Sequence, residues 1–309
     1  MRHVDTIIRE RLSSRVVLID QISRYIVSAG GKRIRPRLVL LFSQALGFTG
    51  PERFEVAAIV EFIHTATLLH DDVVDESSLR RGRATSNAVF GNAASVLVGD
   101  FLYSRAFQMM VAVNRMRVLE VLAEATNVIA EGEVLQLMNM HDPDLAVEEY
   151  LRVIRFKTAK LFEASARLGA VLGGADPELE EACADFGRSL GTAFQLVDDL
   201  LDYEGHSEDL GKNVGNDLRE GKPTLPLLVA MERSTAPERE LIRHAIEHGE
   251  VQRLPEIIAI VRRTGALDAT RAAAQQEADK ARDSLRLLPD SPARQALLEL
   301  CSRAVHRVS

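Results

Sequence analysis

Helix-forming patterns broken by glycine and proline constrain the fold of this chain more than any other feature of its sequence. Alanine, leucine and glutamate are abundant, and β-branched residues seldom alternate with polar ones as they do in strands. Between the glycine and proline clusters lie helical segments of about 15 to 25 residues, which are long for a globular protein. The pattern predicts an all-α protein.

The predicted helices follow one another with short connections. They cover residues 4–28, 35–47, 52–75, 85–90, 93–113, 115–139, 147–173, 177–204, 223–232, 236–248, 253–264, 266–288 and 292–306. The sequence has no serine- and glycine-rich linker and no repeat of about 20–50 residues, so we predict a single domain over 1–309. Residues 204–223 are predicted to form a polar loop, and long loops of this kind often carry function.

Composition argues against several classes of protein. Hydrophobic residues make up 46% of the chain and charged residues 27%, which allows a large buried core. The net charge of −7 argues against a nucleic-acid binder. Two cysteines, Cys183 and Cys301, without a Cys-x-x-Cys spacing argue against disulfides and a thiolate zinc site. The sequence shows no signal-peptide pattern and no uncharged run of about 18 residues, so we predict a cytoplasmic location.

A first acidic cluster, Asp71-Asp72-x-x-Asp75, ends a long predicted helix. Asp71 and Asp75 are four residues apart and share a helix face with Thr67 and His64. The helix dipole disfavours negative charge at this end, so the cluster costs stability until a cation binds. Carboxylate oxygens suit Mg²⁺, which prefers a few carboxylates together with water and substrate phosphates. A solvated acidic helix end is the alternative interpretation.

A second acidic cluster, Asp198-Asp199-x-x-Asp202, repeats the pattern on another predicted helix. Gln195 precedes it by three residues, so all four side chains lie on one helix face. Helical bundles commonly build metal sites from the side chains of facing helices. If these two helices face each other, the carboxylates would bind a diphosphate through metal, and two such clusters are improbable by accident.

Basic residues follow both acidic clusters and the first glycine pair. A glycine pair lets the backbone approach a phosphate, and arginine and lysine are the expected partners of phosphate oxygens. Each basic segment alone is also typical of a solvated loop. Together with two carboxylate sets they suit two diphosphate ligands, one bound through metal and one bound directly. The candidates are Lys32, Arg35, Arg80, Arg81, Lys212 and Lys222.

Five motifs, in matching order and spacing, carry a family resemblance over nearly the whole chain. They are Gly30-Gly-Lys-Arg-Ile-Arg-Pro36, Asp71-Asp-Val-Val-Asp75, Arg80-Arg81-Gly82, Lys157-Thr158 and Phe194-Gln-Leu-Val-Asp-Asp-Leu-Leu-Asp202. The chain resembles the trans-prenyl diphosphate synthase (polyprenyl synthetase) family, and within it the bacterial members that make octaprenyl diphosphate. The resemblance implies a single large helical bundle of the isoprenoid synthase type with a central apolar cavity.

The resemblance implies an enzyme that condenses isopentenyl diphosphate with an allylic diphosphate in repeated 1'-4 head-to-tail steps. Farnesyl diphosphate is the expected primer, and the expected product is the all-trans octaprenyl (C40) diphosphate for the side chain of a quinone such as ubiquinone. C35, C45 or C50 products are alternatives, and a non-catalytic regulatory subunit of a heteromeric synthase is a more remote one. A class I terpene cyclase shares the bundle and the first cluster, but the second cluster argues against it.

The resemblance also assigns metal and diphosphate roles to single residues. Three Mg²⁺ ions per active site would bridge the allylic diphosphate, bound by Asp71, Asp75 and Asp198 with support from Asp72, Asp199 and Asp202. The basic residues expected at the allylic diphosphate are Arg80, Lys157 and Lys222, with Lys212 beside them. Those expected at isopentenyl diphosphate are Lys32, Arg35, His64 and Arg81.

The remaining implied roles concern the reacting carbon, the growing chain and the assembly. Thr158 and Gln195 would place oxygen dipoles near the developing allylic cation. Short-chain members carry a bulky aromatic floor below the first cluster, where this chain has the small Ala66 and Thr67. A floor further down would come from Phe107, Met109, Met110, Leu122 and Met138, for all of which plain core packing is the alternative. A homodimer that delivers its product to the membrane is also implied.

Overall fold

The computed structural model describes residues 1–28, 30–80, 82–204 and 214–306. α-Helices account for most of this part of the chain, which confirms the predicted all-α class. The contacts divide it into two compact units: unit 1 comprises Met1–Thr126, Leu161–Gly187 and Leu285–Leu297, and unit 2 comprises Asn127–Lys160, Arg188–Ser284 and Leu298–Ser309. The single domain and its central cavity stay predictions.

The helices follow the predicted segments closely at most positions. They are α1 Arg2–Leu12, α2 Val17–Ser28, α3 Ile34–Ala45, α4 Glu52–Val74, α5 Ser86–Phe90, α6 Asn92–Val113, α7 Met116–Asn139, α8 Val147–Ile154, α9 Lys160–Leu172, α10 Pro177–Glu204, α11 Asn216–Arg219, α12 Leu225–Arg233, α13 Ala236–His248, α14 Leu254–Arg263, α15 Ala266–Ser284 and α16 Pro292–Val305. A π-helical turn, Arg155–Ala159, joins α8 to α9, and a 3₁₀ turn, Leu285–Leu287, follows α15. Strands β1 Leu79–Arg80 and β2 Arg83–Ala84 pair antiparallel.

Three predicted segments differ from the structure. The helix predicted over 4–28 is two helices, because the chain turns extended at Ser13 and the Ser14 hydroxyl accepts a hydrogen bond from the Val16 amide. The helix predicted over 147–173 contains the π turn. In the predicted loop over 204–223, residues 205–213 lie outside the described part of the chain, and the remainder contains the short helix α11.

Helix α4 is the centre of unit 1 and carries the first acidic cluster at its C-terminal end. It packs against α6, α3 and α1, and its residues from Val56 to Ile63 are almost completely buried. Gly99 on α6 leaves the space that the His70 ring of α4 fills, since a side chain there would collide with the imidazole. The aspartates are therefore attached to one of the best-packed helices of this unit.

Helix α12 is the corresponding centre of unit 2. It packs against α15, α13, α14 and α8, and these helices share one buried apolar cluster. The second half of α10 contributes Leu196, Val197 and Leu200 to that cluster. Because these apolar residues alternate with the acidic ones at helical spacing, their burial fixes which face of α10 carries Asp198.

Gly169 marks a close approach between α9 and α3. A Cβ atom at this position would lie 2.5 Å from the Phe42 Cβ and 2.8 Å from the Val39 carbonyl oxygen. Atoms at those distances overlap, so the two helices approach this closely only because residue 169 has no side chain.

We expect Gly169→Ala to lower the free energy of unfolding by about 1–3 kcal/mol, the usual cost of overpacking a core. Urea unfolding measures the change. If the site had room for a methyl group, the same substitution would instead stabilise the helix by about 0.5–1 kcal/mol. The sign of the change in unfolding free energy therefore shows whether the two helices are in direct contact at residue 169. Gln276→Ala, at an exposed position of α15, is the control and should change stability by less than about 0.5 kcal/mol.

Candidate active site

The π turn between α8 and α9 carries two predicted site residues, Lys157 and Thr158. A single π turn within a helix often marks a functional site, because it changes the direction of the side chains that follow it. Gly132 of α7 packs directly against this turn: a Cβ there would lie 2.6 Å from the Lys157 amide nitrogen and 2.8 Å from the Phe156 Cβ. Glycine at 132 thus permits the contact between α7 and the turn.

Lys157 contacts an acidic residue that follows Gly132. Its ammonium lies 2.6 Å from a carboxylate oxygen of Glu133, and both side chains are half-buried. The pair fixes the lysine against α7 and balances its charge. An anionic phosphate could replace the carboxylate as the partner of this ammonium.

Thr158 and Gln195 are brought together by the structure. The Thr158 hydroxyl donates to Gln195 Oε1 at 2.9 Å. Gln195 Nε2 in turn donates to Asp199 Oδ1 at 2.8 Å. The Tyr150 hydroxyl donates to the other oxygen of the Asp199 carboxylate. Four polar side chains from α8, the π turn and α10 therefore form one connected hydrogen-bond chain.

Asp199 lies in an environment that disfavours its charge. Burial raises the pKa of Asp199 to about 7, the neighbouring Asp198 and Asp202 act in the same direction, and the hydrogen bonds from Tyr150 and Gln195 oppose the rise. Burial and the nearby Asp199 carboxylate also raise the pKa of Tyr150 well above its usual value. The tyrosine therefore stays protonated and donates its hydroxyl hydrogen to the carboxylate.

Asp202 anchors the segment that begins at 214. Its two carboxylate oxygens accept hydrogen bonds from the backbone amides of Asn216, at 3.2 Å, and Asp217, at 3.0 Å. These amides lie at the start of α11, where the first N–H groups lack partners within the helix. Lys222 follows this helix, and its ammonium lies 2.5 Å from a carboxylate oxygen of Glu220.

In unit 1, Asp72 points its carboxylate at the hairpin that follows the helix. Arg80 donates from Nε and a terminal nitrogen to Asp72 Oδ1, both at 2.7 Å. Burial raises the pKa of Asp72, and the charge and hydrogen bond of Arg80 oppose that rise. The predicted loop containing Arg80 is thus a two-stranded turn attached to the end of α4.

The basic loop, residues 32–35, runs into the first turn of α3 and contacts α4 at two points. Arg33 has a left-handed backbone, with φ at 50°, and forms an ion pair with the buried Glu61. Arg35 lies 3.2 Å from the His64 ring nitrogen and stacks over the Phe162 ring at 4.3 Å. Glu61 and His64 are neighbours on one face of α4, so a single helix positions this loop.

Several of the predicted metal-site carboxylates are positioned by hydrogen bonds. Asp72, Asp199 and Asp202 accept hydrogen bonds from protein donors. Among the residues described, no three His, Cys, Asp or Glu side chains are grouped so as to hold a metal ion by themselves. Carboxylate donors such as Asp71, Asp75 and Asp198 fit Mg²⁺, which accepts a few protein oxygens and completes its shell with water and phosphates.

Two of the residues predicted to form the floor of the product tunnel lie at the surface. Phe107 is 41% exposed and Met138 is 73% exposed, so neither can close an internal tunnel of this chain. Hydrophobicity alone suggested them, and it does not distinguish a core residue from a surface one. Met109, Met110 and Leu122 are buried, as is Ala66, while Thr67 is half-buried.

Sequence reasoning also missed residues of this site. Tyr150 and Glu133 contact predicted site residues but lie outside every motif. Their only sequence signal is helical spacing, since Tyr150 precedes Lys157 by seven residues, and that signal is shared with ordinary core residues. The predicted residues Arg81 and Lys212 lie outside the described part of the chain, and Lys32 is exposed at the start of the basic loop.

Comparisons with known proteins match one family over most of the chain. The model of the polyprenyl synthetase family matches residues 16–261. The octaprenyl diphosphate synthase of Escherichia coli is 58% identical over 308 residues, covering 99% of this chain and 95% of that protein. The all-trans-nonaprenyl-diphosphate synthase (geranyl-diphosphate specific) of Rhodobacter capsulatus is 47% identical over 306 residues, covering 99% of this chain and 94% of that protein.

A solved structure is equally close. The polyprenyl synthase of Caulobacter crescentus, crystallised with calcium and isoprenyl diphosphate, is 48% identical and superposes with a TM-score of 0.97. The match covers 100% of this chain and 95% of the other. The five motifs, the all-α fold and these full-length similarities lead to one conclusion: this chain belongs to the polyprenyl synthetase family.

Proposed function

We propose that this protein is a Mg²⁺-dependent trans-polyprenyl diphosphate synthase that makes octaprenyl (C40) diphosphate from isopentenyl diphosphate and an allylic primer. The observation that carries the proposal is the hydrogen bond between Thr158 and Gln195, beside Lys157. This hydrogen bond brings together the two residues that are expected near the reacting carbon. Thr158 also directly follows Lys157, which is expected at the leaving diphosphate. The 58% identity to an octaprenyl diphosphate synthase over nearly the full chain supports the product length.

The reaction needs charge stabilisation and positioning rather than a protein nucleophile. The C1–O bond of the allylic diphosphate breaks and its electron pair leaves with the diphosphate. The double bond of isopentenyl diphosphate attacks C1, and a proton is then lost to the released diphosphate, which restores a double bond. Lys157, Arg80 and Lys222 would balance the leaving charge, and the oxygen atoms of Thr158 and Gln195 would stabilise the allylic cation.

The metal ligands in this proposal are Asp71, Asp75 and Asp198, and three Mg²⁺ ions per active site are proposed with substrate bound. When bound, Mg²⁺ neutralises diphosphate oxygens and assists their departure. Asp72, Asp199 and Asp202 support them: their contacts to Arg80, Gln195 and the α11 amides fix the helix ends that carry the ligands. The calcium in the Caulobacter crescentus structure supports a divalent ion in this role.

For isopentenyl diphosphate we propose Lys32, Arg35, His64 and Arg81. The contact between Arg35 and His64 supports this assignment, because it places a guanidinium and an imidazole side by side. Because a guanidinium only donates, His64 Nε2 accepts in this contact, and the imidazole can donate from Nδ1. A guanidinium and an imidazole N–H placed in this way suit a diphosphate that is bound directly, without metal. We propose a cytoplasmic enzyme that delivers its product to the membrane for quinone synthesis.

Incubation with Mg²⁺, radiolabelled isopentenyl diphosphate and farnesyl diphosphate is expected to give a ladder ending at C40, measured by chromatography. Chelation of Mg²⁺ should abolish incorporation, and Asp71→Asn or Asp198→Asn should lower kcat by about 10²–10³-fold. Asp268→Asn, an exposed acid paired with Arg271, is the control and should retain full activity. Geranyl diphosphate is tested alongside, since one relative is named for that primer.

Loss of incorporation with every allylic primer would contradict the enzymatic proposal. Activity that returns only on addition of a second polypeptide would favour the regulatory-subunit alternative. An end product of C15 or C20 would leave the reaction class intact and contradict the long-chain assignment.

Product length is proposed to depend on the small residues of α4 below the first acidic cluster. Ala66 is completely buried, and the buried residues Met110 and Leu122 are proposed to limit the chain further down. The half-buried Thr67 lies one turn below Asp71. Small side chains at 66 and 67 would leave room for the growing chain.

Ala66→Phe is expected to shorten the product by several isoprene units, because the ring would fill the path of the growing chain. The measurement is the same product ladder. Ala58→Phe, at another completely buried alanine of α4, is the control for overpacking and should keep the parent product length if it folds. An unchanged ladder from a folded Ala66→Phe protein would show that the path lies elsewhere.

We also propose a homodimer that buries the outer face of α6. Leu97 is 66% exposed and Val111 is 68% exposed, and Val96 and Phe107 on the same helix are exposed as well. Several large apolar side chains exposed on one side of a helix are typical of an interaction surface. Helix α6 is also the one helix among the described residues with the length and hydropathy of a membrane span, and a third of that stretch is buried.

Sedimentation is expected to give twice the 34.1 kDa protomer mass. Leu97→Glu should shift the protein to the monomer, because a charge would be buried without a partner in the interface. Val17→Glu, at an equally exposed valine of α2, should leave the mass unchanged. A monomeric parent protein would contradict the dimer. A Leu97→Glu variant that stays dimeric and loses binding to lipid vesicles would show instead that this face of α6 contacts a membrane.

A further inference from the structure

Tyr150 is a buried residue of α8 that neither the motifs nor the proposed reaction uses. It belongs to unit 2, as do Thr158, Gln195 and Asp199. Its side chain is 4% exposed and that of its partner, Asp199, is 3% exposed. A hydrogen bond enclosed to this degree cannot readily be replaced by bulk water, so loss of the tyrosine hydroxyl would leave a carboxylate oxygen without its donor.

The hydrogen-bond chain has a direction. A tyrosine hydroxyl donates one hydrogen, and here it goes to one oxygen of Asp199. The other oxygen accepts from Gln195 Nε2 at 2.8 Å. Gln195 Oε1 then faces away from the carboxylate and accepts from Thr158 at 2.9 Å. Each member thereby fixes the rotation of the next.

The direction matters because the two ends of a glutamine amide are chemically opposite. The NH₂ group only donates, and the carbonyl oxygen only accepts. With the amide turned over, Oε1 would face a carboxylate oxygen, which cannot donate to it, so the contact with Asp199 would be lost. The NH₂ group would then face Thr158, whose hydroxyl could only accept from it, and the carbonyl oxygen would no longer lie on that side. A carbonyl oxygen has two lone pairs, and Thr158 uses one of them. The other stays available to a positive centre.

We infer that Tyr150 is a positioning residue that acts through Asp199 to hold the Gln195 carbonyl oxygen towards the allylic cation. The inference rests on the proposed function, in which Gln195 stabilises that cation. Tyr150 itself touches neither diphosphate in this scheme. Its loss should therefore slow the condensation step and leave substrate binding unchanged. This expectation separates it from Lys157 or Arg80, whose loss should weaken diphosphate binding as well.

The test is Tyr150→Phe in the full-length protein with Mg²⁺, in single-turnover condensation of farnesyl diphosphate with isopentenyl diphosphate. We expect the rate to fall about 10- to 100-fold, the usual effect of removing a supporting hydrogen bond from a site. The KM for isopentenyl diphosphate should change less than twofold, and the thermal midpoint should fall by only a few degrees, because one buried carboxylate oxygen loses its donor. Tyr203→Phe, at a second completely buried tyrosine outside the four-residue chain, should keep the parent rate.

A double-mutant comparison shows whether the effect passes through Gln195. In a Gln195→Ala background, Tyr150→Phe should cause less than a twofold further loss, because the amide that it positions is absent. Should Tyr150→Phe not fold, Tyr150→Met provides the same measurement, since a flexible apolar side chain fills the space without offering a donor to Asp199.

Each outcome has a defined meaning. An equal loss of rate with and without Gln195, or a rise in KM that matches the fall in rate, would overturn the positioning role. If the parent protein and Tyr150→Phe condense the substrates at the same rate, this inference is overturned and the proposed function stays in place. A parent protein without condensation activity would instead contradict the proposed function itself.

Discussion

Negative charge concentrated at the ends of two long helices is the constraint on which the rest of this structure depends. Burial and mutual repulsion oppose the ionised state of Asp72 and Asp199, and the helix dipole adds to that opposition at the end of α4. Each unit stabilises these carboxylates with hydrogen-bond donors of its own. Unit 1 uses the guanidinium of Arg80, whereas unit 2 uses Tyr150, Gln195 and two backbone amides. These partners hold Asp72 in the first set and both Asp199 and Asp202 in the second, so the helix ends that carry the other aspartates are already fixed.

Backbone geometry also determines where the side chains of the site lie. The π turn changes the direction of the helix at Lys157 and Thr158, and Gly132 lets α7 pack against it without a side chain between them. The same arrangement brings Glu133 to Lys157, so the lysine ammonium has a local counter-charge. Packing, charge balance and side-chain direction are thus set together over a few residues.

The fold class and the motif residues could be predicted because they depend on local information. Helical periodicity identified α4, α6, α7 and α10 within a residue or two of their ends, and the aspartate spacing identified both acidic clusters. The break between α1 and α2 was missed because serine side chains compete with the helix there. The contact of Tyr150 with Asp199 joins residues 49 positions apart, and no pattern in the sequence indicates such a pairing. The exposure of Phe107 and Met138 was missed for the same reason, since periodicity does not show which apolar faces remain uncovered.

The ion pair between Arg33 and Glu61 has a consequence for how this protein can change. Glu61 lies on α4 between Val60 and Ala66, close in sequence to the residues proposed to set product length, and the pair ties the basic loop to that same helix. Any adjustment that moves this part of α4 to admit a longer or shorter chain would also move Arg33, and with it Lys32 and Arg35, which are proposed to bind isopentenyl diphosphate. Under that proposal, selection for a new product would act on substrate affinity at the same time. Variants that separate the two properties are to be sought on helices that do not contact the loop.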